Sequence, residues 1–213
     1  MIYKIRDDVP GYMPWQQIHL ILRQVIQLKG PANILELGSF FGKLTVQLDL
    51  NVNPGVNIHT IDKWVGINQE VFNFLYEITA QKTEVSALES LDNIQSSIVD
   101  GKMSEESFYD WWKYFTKDTT NVTHYKDYTN IIDETPFPMF DIVIQDAAHD
   151  YDGVMAECHK WWPKLKTGGF WIADDYTPTN WPACKQALDD FFDQQQVQKI
   201  VKDPKQGYLY LIK

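Results

Sequence analysis

Apolar and polar positions change period repeatedly along the chain. Residues 14–29 (PWQQIHLILRQVIQLK) carry apolar side chains at helical spacing, with Pro14 suited to a first turn and Gly30-Pro31 placed to stop the helix. Residues 33–37 (NILEL) form an unbroken apolar run before a glycine, which predicts a buried strand; 43–50 (KLTVQLDL) reads as a helix and 56–62 (VNIHTID) as a second strand. The stretch 67–120 is long, mostly polar and helical in pattern, with FNFLYEI, SALESLDNI and EESFYDWWKYF as its segments and Gly101 as a break. Because it lies between two strands, it reads as a helical insertion and not as a separate domain. Strands return at 122–125 (VTHY) and 140–145 (FDIVIQ). A helix over 152–166 is expected to end at Gly168-Gly169, followed by a strand at 170–174 (FWIAD) and a helix over 182–195 that begins with Pro182. The end of the sequence, VQKIVKD then GYLYLIK, predicts a hairpin turning at Pro204–Gly207.

Strands alternating with helices imply an α/β architecture, a mostly parallel sheet covered on both faces, with the terminal hairpin adding an antiparallel strand at one edge. The 213 residues suit one domain, with 1–30 as an N-terminal helical segment and 67–120 as a cap. Hydrophobic residues make up 44% and charged residues 23%, ordinary for a globular protein. No apolar run approaches the roughly 18 residues of a membrane span, and no secretory signal is visible in MIYKIRDDVPGYMPW. Nineteen Lys and Arg against 29 Asp and Glu give a net charge of −10, which disfavours nucleic acid and anionic membrane surfaces as partners. Cys158 and Cys184 form neither a disulfide framework nor a CxxC pair, so a reduced, cytoplasmic setting is expected.

Two constellations carry chemistry. The first is Glu36-Leu37-Gly38-Ser39-Phe40-Phe41-Gly42, a glycine turn after the first strand. Gly38 lets the backbone turn and approach a ligand, while Gly42 permits close helix–strand packing. The ExGxxxG spacing is not the GxGxxG of nicotinamide sites, and two phenylalanines leave little room for a pyrophosphate. Asp62, about 20 residues on, is placed to accept hydrogen bonds from a ribose diol; a helix N-cap is its bland alternative. The second constellation is FDIVIQDAAHDYDGV followed by LKTGGFWIADDY. It delivers Asp146, then Asp174-Asp175, to one sheet edge, with His149 three residues after Asp146. Carboxylates converging there repel each other unless a cation such as Mg²⁺ sits among them or one stays protonated. Helix caps and loop acids are the competing account. His149 has a pKa near 6.5 when unperturbed (about), which suits a base at neutral pH; a plain hydrogen bond within the loop is the alternative.

ILELGSFFGKLTVQL followed by IHTID resembles the first two motifs of class I S-adenosylmethionine-dependent methyltransferases. The acidic strand ends, the DxxHxY loop and LKxGGxxxxDDY are similar to small-molecule O-methyltransferases of the catechol and macrocin types. The resemblance spans roughly residues 31–66 and 122–192 and implies a Rossmann-like seven-stranded sheet. It implies that Glu36, Gly38, Ser39, Gly42 and Asp62 hold S-adenosylmethionine, with Asp127, Tyr128 and Asp146 completing that site. It also implies Mg²⁺ on Asp146, Asp174 and Asp175, with His149 where the catechol type places its catalytic lysine.

The expected reaction is methyl transfer to a hydroxyl of a small molecule, a sugar or phenol. Tyr176 and Trp181, just past the acidic pair, are placed to touch that acceptor, and Trp111 in the aromatic patch 109–115 is a further substrate candidate. Trp64 could flank the adenine. Aromatics make up 14% of the chain, with eight Trp, so a ring-bearing acceptor held by aromatic faces is expected. Self-association is common in the family and the aromatics permit it. Three other readings compete: a nicotinamide-dependent oxidoreductase, a cofactor-binding protein without catalysis, and an interaction module using the aromatic insertion.

Overall fold

The apolar runs become the middle of a sheet. In the computed structural model, which describes residues 3–213, the elements run α1 (Trp15–Val25), β1 (Ala32–Leu37), α2 (Lys43–Asn51), β2 (Val56–Asp62), α3 (Gln69–Gln81), α4 (Val85–Gln95), β3 (Ile98–Val99), β4 (Lys102–Met103), α5 (Glu105–Thr116), β5 (Val122–Lys126), β6 (Phe140–Gln145), α6 (Tyr151–Trp161), β7 (Leu165–Ala173), α7 (Pro182–Phe192), β8 (Lys199–Asp203) and β9 (Tyr208–Ile212). Seven strands pair in the order β5-β2-β1-β6-β7-β9-β8. The first five are parallel, and β9 lies antiparallel to both β7 and β8. This is the Rossmann-like α/β sheet with an antiparallel C-terminal hairpin that the alternating pattern predicts.

The described chain divides into two compact units. One comprises residues 24–38, 53–63 and 121–213, and holds the entire seven-stranded sheet with α6 and α7. Its core joins Leu35 and Leu37 of β1, Val143 of β6 and Trp171 of β7 to Val154, Cys158 and Trp161 of α6 and Leu188 and Phe192 of α7. Alternate strand residues Ile34, Ile58, Ile142 and Ile144 are also buried, so the central strands are apolar on both faces, as parallel strands usually are. The other unit comprises residues up to Arg23, 39–52 and 64–120, and holds α2 to α5 with the β3–β4 hairpin. Its aromatic interior includes Trp64 against Tyr109 and Trp112, and Phe41 against Phe108.

Several boundaries differ from expectation. The helix expected over 152–166 stops at Trp161, because Pro163 cannot continue it, and β7 begins at Leu165. Gly168 and Gly169 therefore lie inside β7 and do not cap a helix. Gly168 takes φ 80° where the pairing with β6 slips between Phe140 and Ile142, a bulge that only a residue without Cβ tolerates easily. The insertion 67–120 is helical as expected, but Gly101 (φ 73°) turns a two-residue hairpin instead of merely interrupting helix. Helices α1 and α7 end at Val25 and Phe192, a few residues short of the sequence estimate. No helix of the described residues is long and apolar enough to cross a membrane.

Candidate active site at the carboxyl edge of the sheet

The strand order reverses between β1 and β6: the chain leaves β1 toward β2 on one side, while β6 and β7 build outward on the other. Ligands of open α/β sheets bind beyond the strand carboxyl ends at such a point. Gly38 sits there. Its N–H donates to the Ile61 carbonyl at 2.9 Å, and the Asp146 N–H donates to the Leu37 carbonyl at 2.9 Å. Gly38 has φ 86°, and a Cβ added to it would lie 1.9 Å from the Asp146 carbonyl oxygen. The two strand ends thus meet at a contact that accommodates only glycine. Glu36, one residue before the end of β1, is fully buried.

Asp62 ends β2, and its carbonyl receives the Asp127 N–H at 3.1 Å, which ties the turn after β5 to the end of β2. Asp127 in turn accepts the Tyr128 N–H at 2.7 Å, and the half-exposed Tyr128 ring lies 5.4 Å from the Lys63 ammonium. The structure thereby brings Glu36, Gly38, Asp62, Asp127 and Tyr128 to one edge of the sheet unit.

Beside them, the ligating atoms of Asp146, His149 and Asp175 all lie within 4.8 Å of one another. His149 Nε2 is 2.9 Å from Asp175 Oδ2, and 42% of the His149 side chain is exposed. Asp175 occupies left-handed backbone space (φ 57°), sparsely populated for a residue with a side chain and often a mark of functional constraint. Asp174, the other member of the acidic pair, turns its Oδ1 to the Asp175 N–H at 2.7 Å. The close trio therefore contains His149 and not Asp174, although Asp174 still acts on the Asp146 carboxyl.

Burial pushes the Asp146 carboxyl well above the usual carboxylate range, and the charges of Asp174, Asp175, Glu36 and Glu157 push it further. For His149 burial acts downward, but the hydrogen bond and charge of Asp175, with Glu157 and Asp174 behind it, prevail and raise the imidazole above its ordinary value. Two carboxylates and one imidazole at this separation fit a divalent cation: oxygen donors suit Mg²⁺, and the nitrogen extends the choice to Mn²⁺.

The remaining residues singled out in the sequence divide clearly. Trp181 is 40% exposed, and its ring lies 4.6 Å from that of His149, so it flanks the trio. Tyr176 does not offer a surface to an acceptor: it is 2% exposed and its hydroxyl donates to Asp189 at 2.8 Å, which makes it an anchor of the acidic loop. In the helical unit, the buried Ser39 hydroxyl lies 2.6 Å from Trp112 Nε1 and 2.7 Å from the Thr45 hydroxyl. Gly42 serves helix–helix instead of helix–strand packing: a Cβ there would meet Thr116 Cγ2 at 2.9 Å and Trp112 Nε1 at 3.3 Å. Trp111 donates from Nε1 to the Ser97 hydroxyl at 2.9 Å and packs on Tyr114 and Phe115. Trp64 is fully buried and donates to the Phe40 carbonyl, so it cannot face an adenine.

One buried residue behind the site escaped the sequence reading. Glu157 lies on α6 with no exposed surface, in the inward stripe Val154-Glu157-Cys158-Trp161. A charged residue at core spacing was the available signal. It accepts hydrogen bonds from the Thr129 hydroxyl, from Gln145 Nε2 at 2.9 Å and from the Ala148 N–H.

A sheet that reverses order beside a buried acid, a close-packed glycine and an acidic strand end defines a nucleoside-cofactor-binding α/β protein. The chain belongs to the methyltransferase-domain family, whose pattern matches residues 35–176, about two thirds of its length. It is an S-adenosylmethionine-dependent methyltransferase, and the nicotinamide alternative falls away. Solved structures share its fold. The O-methyltransferase NovP is 18% identical with a TM-score of 0.59, the alignment covering 93% of this chain and 78% of that one. An S-adenosylhomocysteine-bound methyltransferase from Podospora anserina is 15% identical with a TM-score of 0.58, covering 94% and 79%. The MycE methyltransferase of mycinamycin biosynthesis, in complex with Mg, S-adenosylhomocysteine and mycinamycin VI, is 13% identical with a TM-score of 0.55, covering 95% and 50%. No curated protein sequence matches the chain.

Proposed function

We propose that this methyltransferase methylates a hydroxyl of a small molecule at the carboxyl edge of β1 and β6. The observation that carries the reading is the Asp146–His149–Asp175 trio, set beside the glycine turn and flanked by Trp181. That solved relatives in fold include an O-methyltransferase and a methyltransferase in complex with Mg and mycinamycin VI supports the same reading.

S-adenosylmethionine supplies an already activated methyl group, so the chain's task is alignment and proton management. Glu36 and the Gly38 turn bind the amino-acid end, Asp62 accepts hydrogen bonds from the ribose, and Asp127 with Tyr128 borders the adenine. His149 donates Nε2–H to Asp175, which leaves Nδ1 to accept the proton of the acceptor hydroxyl. Trp181 offers an aromatic wall for a ring-bearing acceptor. Asp146 and Asp175, with Asp174 as a further ligand, are the residues that would hold a divalent cation, whose Lewis acidity would lower the pKa of a bound hydroxyl. The chain's charge of −10 favours such an acceptor over nucleic acid.

Calorimetry tests the donor site: S-adenosylhomocysteine should bind and NAD should not. A methyl-transfer assay on phenols and glycosides then tests the acceptor class. In that assay His149→Ala should lower turnover by roughly 10²-fold or more while leaving S-adenosylhomocysteine binding near wild type. A change of less than a few-fold would reduce His149 to a loop residue.

A further inference from the structure

Glu157 is a buried carboxylate to which methyl transfer assigns no task. It is held by neutral donors, with His149 as a cationic neighbour, and a neutral glutamine of the same shape would avoid the desolvation that its charge incurs. Burial pushes its carboxyl up and its three hydrogen bonds pull the other way.

What distinguishes Glu157 is where its three donors lie. Thr129 directly follows Asp127-Tyr128, in the turn that borders the adenine. Gln145 directly precedes Asp146. Ala148 directly precedes His149. The attachment is reinforced on both sides. Trp161, one helical turn beyond Glu157, donates from Nε1 to the Thr129 carbonyl at 2.9 Å. Gln145 Nε2 also reaches the Val154 carbonyl at 3.3 Å. Hydrogen bonds to an ionised acceptor are the stronger kind, so one carboxylate fixes the turn after β5 and the loop after β6 to the same helix.

We propose that Glu157 is a positioning residue that joins the adenine-bordering turn to the Asp146–His149 loop, so that the adenosyl ligand and a divalent cation bind cooperatively. This inference rests on the proposed function above. Neither ligand touches Glu157. Ordering of Thr129 by one ligand is relayed through the carboxylate to Gln145 and Ala148, and so to the ligands of the other. Coupling between two binding sites is reciprocal, so either ligand should tighten the other by the same factor.

The test is isothermal calorimetry on the full chain, titrating Mn²⁺ with and without saturating S-adenosylhomocysteine, and the reverse. Wild type should show each ligand tightening the other about fivefold or more. Glu157→Gln, and independently Thr129→Val, should keep each ligand's separate affinity within about threefold while bringing the coupling factor close to one. Circular dichroism and melting establish that each variant is folded. Thr129→Val leaves the carboxylate in place and decides the matter if Glu157→Gln fails to fold. Wild-type protein that binds both ligands without coupling, or that binds no Mn²⁺, overturns this inference alone. Coupling that survives in the folded variants makes Glu157 purely structural. Failure of wild type to bind S-adenosylhomocysteine overturns the proposed function itself.

Discussion

At the scale of single residues the site depends on two strained or crowded backbones. Gly38 combines φ 86° with a neighbour that leaves no space for a side chain. Gly38→Ala would force the ends of β1 and β6 apart, since the obstructing atom is backbone and cannot rotate away. The expected loss is about 2 kcal/mol or more of stability, read by urea denaturation, together with weakened S-adenosylhomocysteine binding. An alanine variant as stable as wild type would contradict the contact. Asp175, at φ 57°, is held in place by the next residue: the Tyr176 N–H donates to the Gly207 carbonyl at 3.0 Å and its hydroxyl to Asp189. The place of Glu36, Gly38, Asp62 and Asp146 at the sheet edge was legible in the sequence because the length of an apolar strand, and for β1 the glycine after it, determines which residue reaches that edge. The burial of Tyr176 was not, because its hydroxyl partner, Asp189, lies thirteen residues later on α7. Glu157 was partly legible, as a charge within an apolar stripe, but its three donors come from segments that only the fold brings together.

At the scale of elements, the alternation of apolar runs with helical periods was enough to locate every strand of the sheet. The errors fell where a glycine or proline admitted two uses. Gly168-Gly169 makes a bulge in β7 instead of a helix stop, and Gly101 turns a hairpin. In the helical unit, the first residue of α2 makes a buried ion pair that no local pattern predicts. Lys43 Nζ lies 3.0 Å from Glu84 Oε2, the two side chains being 4% and 7% exposed, and 4.8 Å from the centre of the Trp15 ring. Removing one partner of such a pair strands the other charge. Glu84→Gln should therefore cost about 3 kcal/mol or more, measured by urea denaturation at pH 7. Burial lowers the Lys43 pKa, and the charge of Glu84 offsets part of that fall. A lysine whose folded pKa lies below its unfolded value gains relative stability as pH rises between the two. Without Glu84 the gap widens, so the penalty of the variant should shrink as pH is raised toward the ordinary lysine value. A penalty that stays constant up to pH 10 (about) would show that Lys43 is not the stranded charge.

For the whole molecule, the titrating groups at the carboxyl edge of the sheet link folding to pH with a definite sign. Asp146, Glu157 and His149 all have folded pKa values raised above their ordinary ones, by burial for the two acids and by the surrounding carboxylates for Asp146 and the imidazole. A raised folded pKa means that the native state binds protons more readily than the unfolded chain. The stability it confers is complete below the unfolded value and is lost as pH climbs through the folded one. Asp133 and Asp189, which are lowered, act below the ordinary carboxylate range and contribute nothing to a slope at neutral pH. Burial lowers the His59 pKa, so that imidazole works in the opposite direction near neutral pH. The three raised groups outnumber it, so metal-free protein in EDTA should melt lower at about pH 8 than at about pH 6. A divalent cation binds the deprotonated rim and not the protonated one, so Mg²⁺ or Mn²⁺ should raise the melting temperature more at the higher pH and flatten the profile. Asp146→Asn, which removes a buried carboxyl raised by burial and by its acidic neighbours, should flatten the EDTA profile and abolish most of the response to cation. Parallel wild-type and Asp146→Asn profiles, each equally indifferent to Mg²⁺ and Mn²⁺, would mean that the carboxyl edge holds no metal and that His149 works with Asp175 alone.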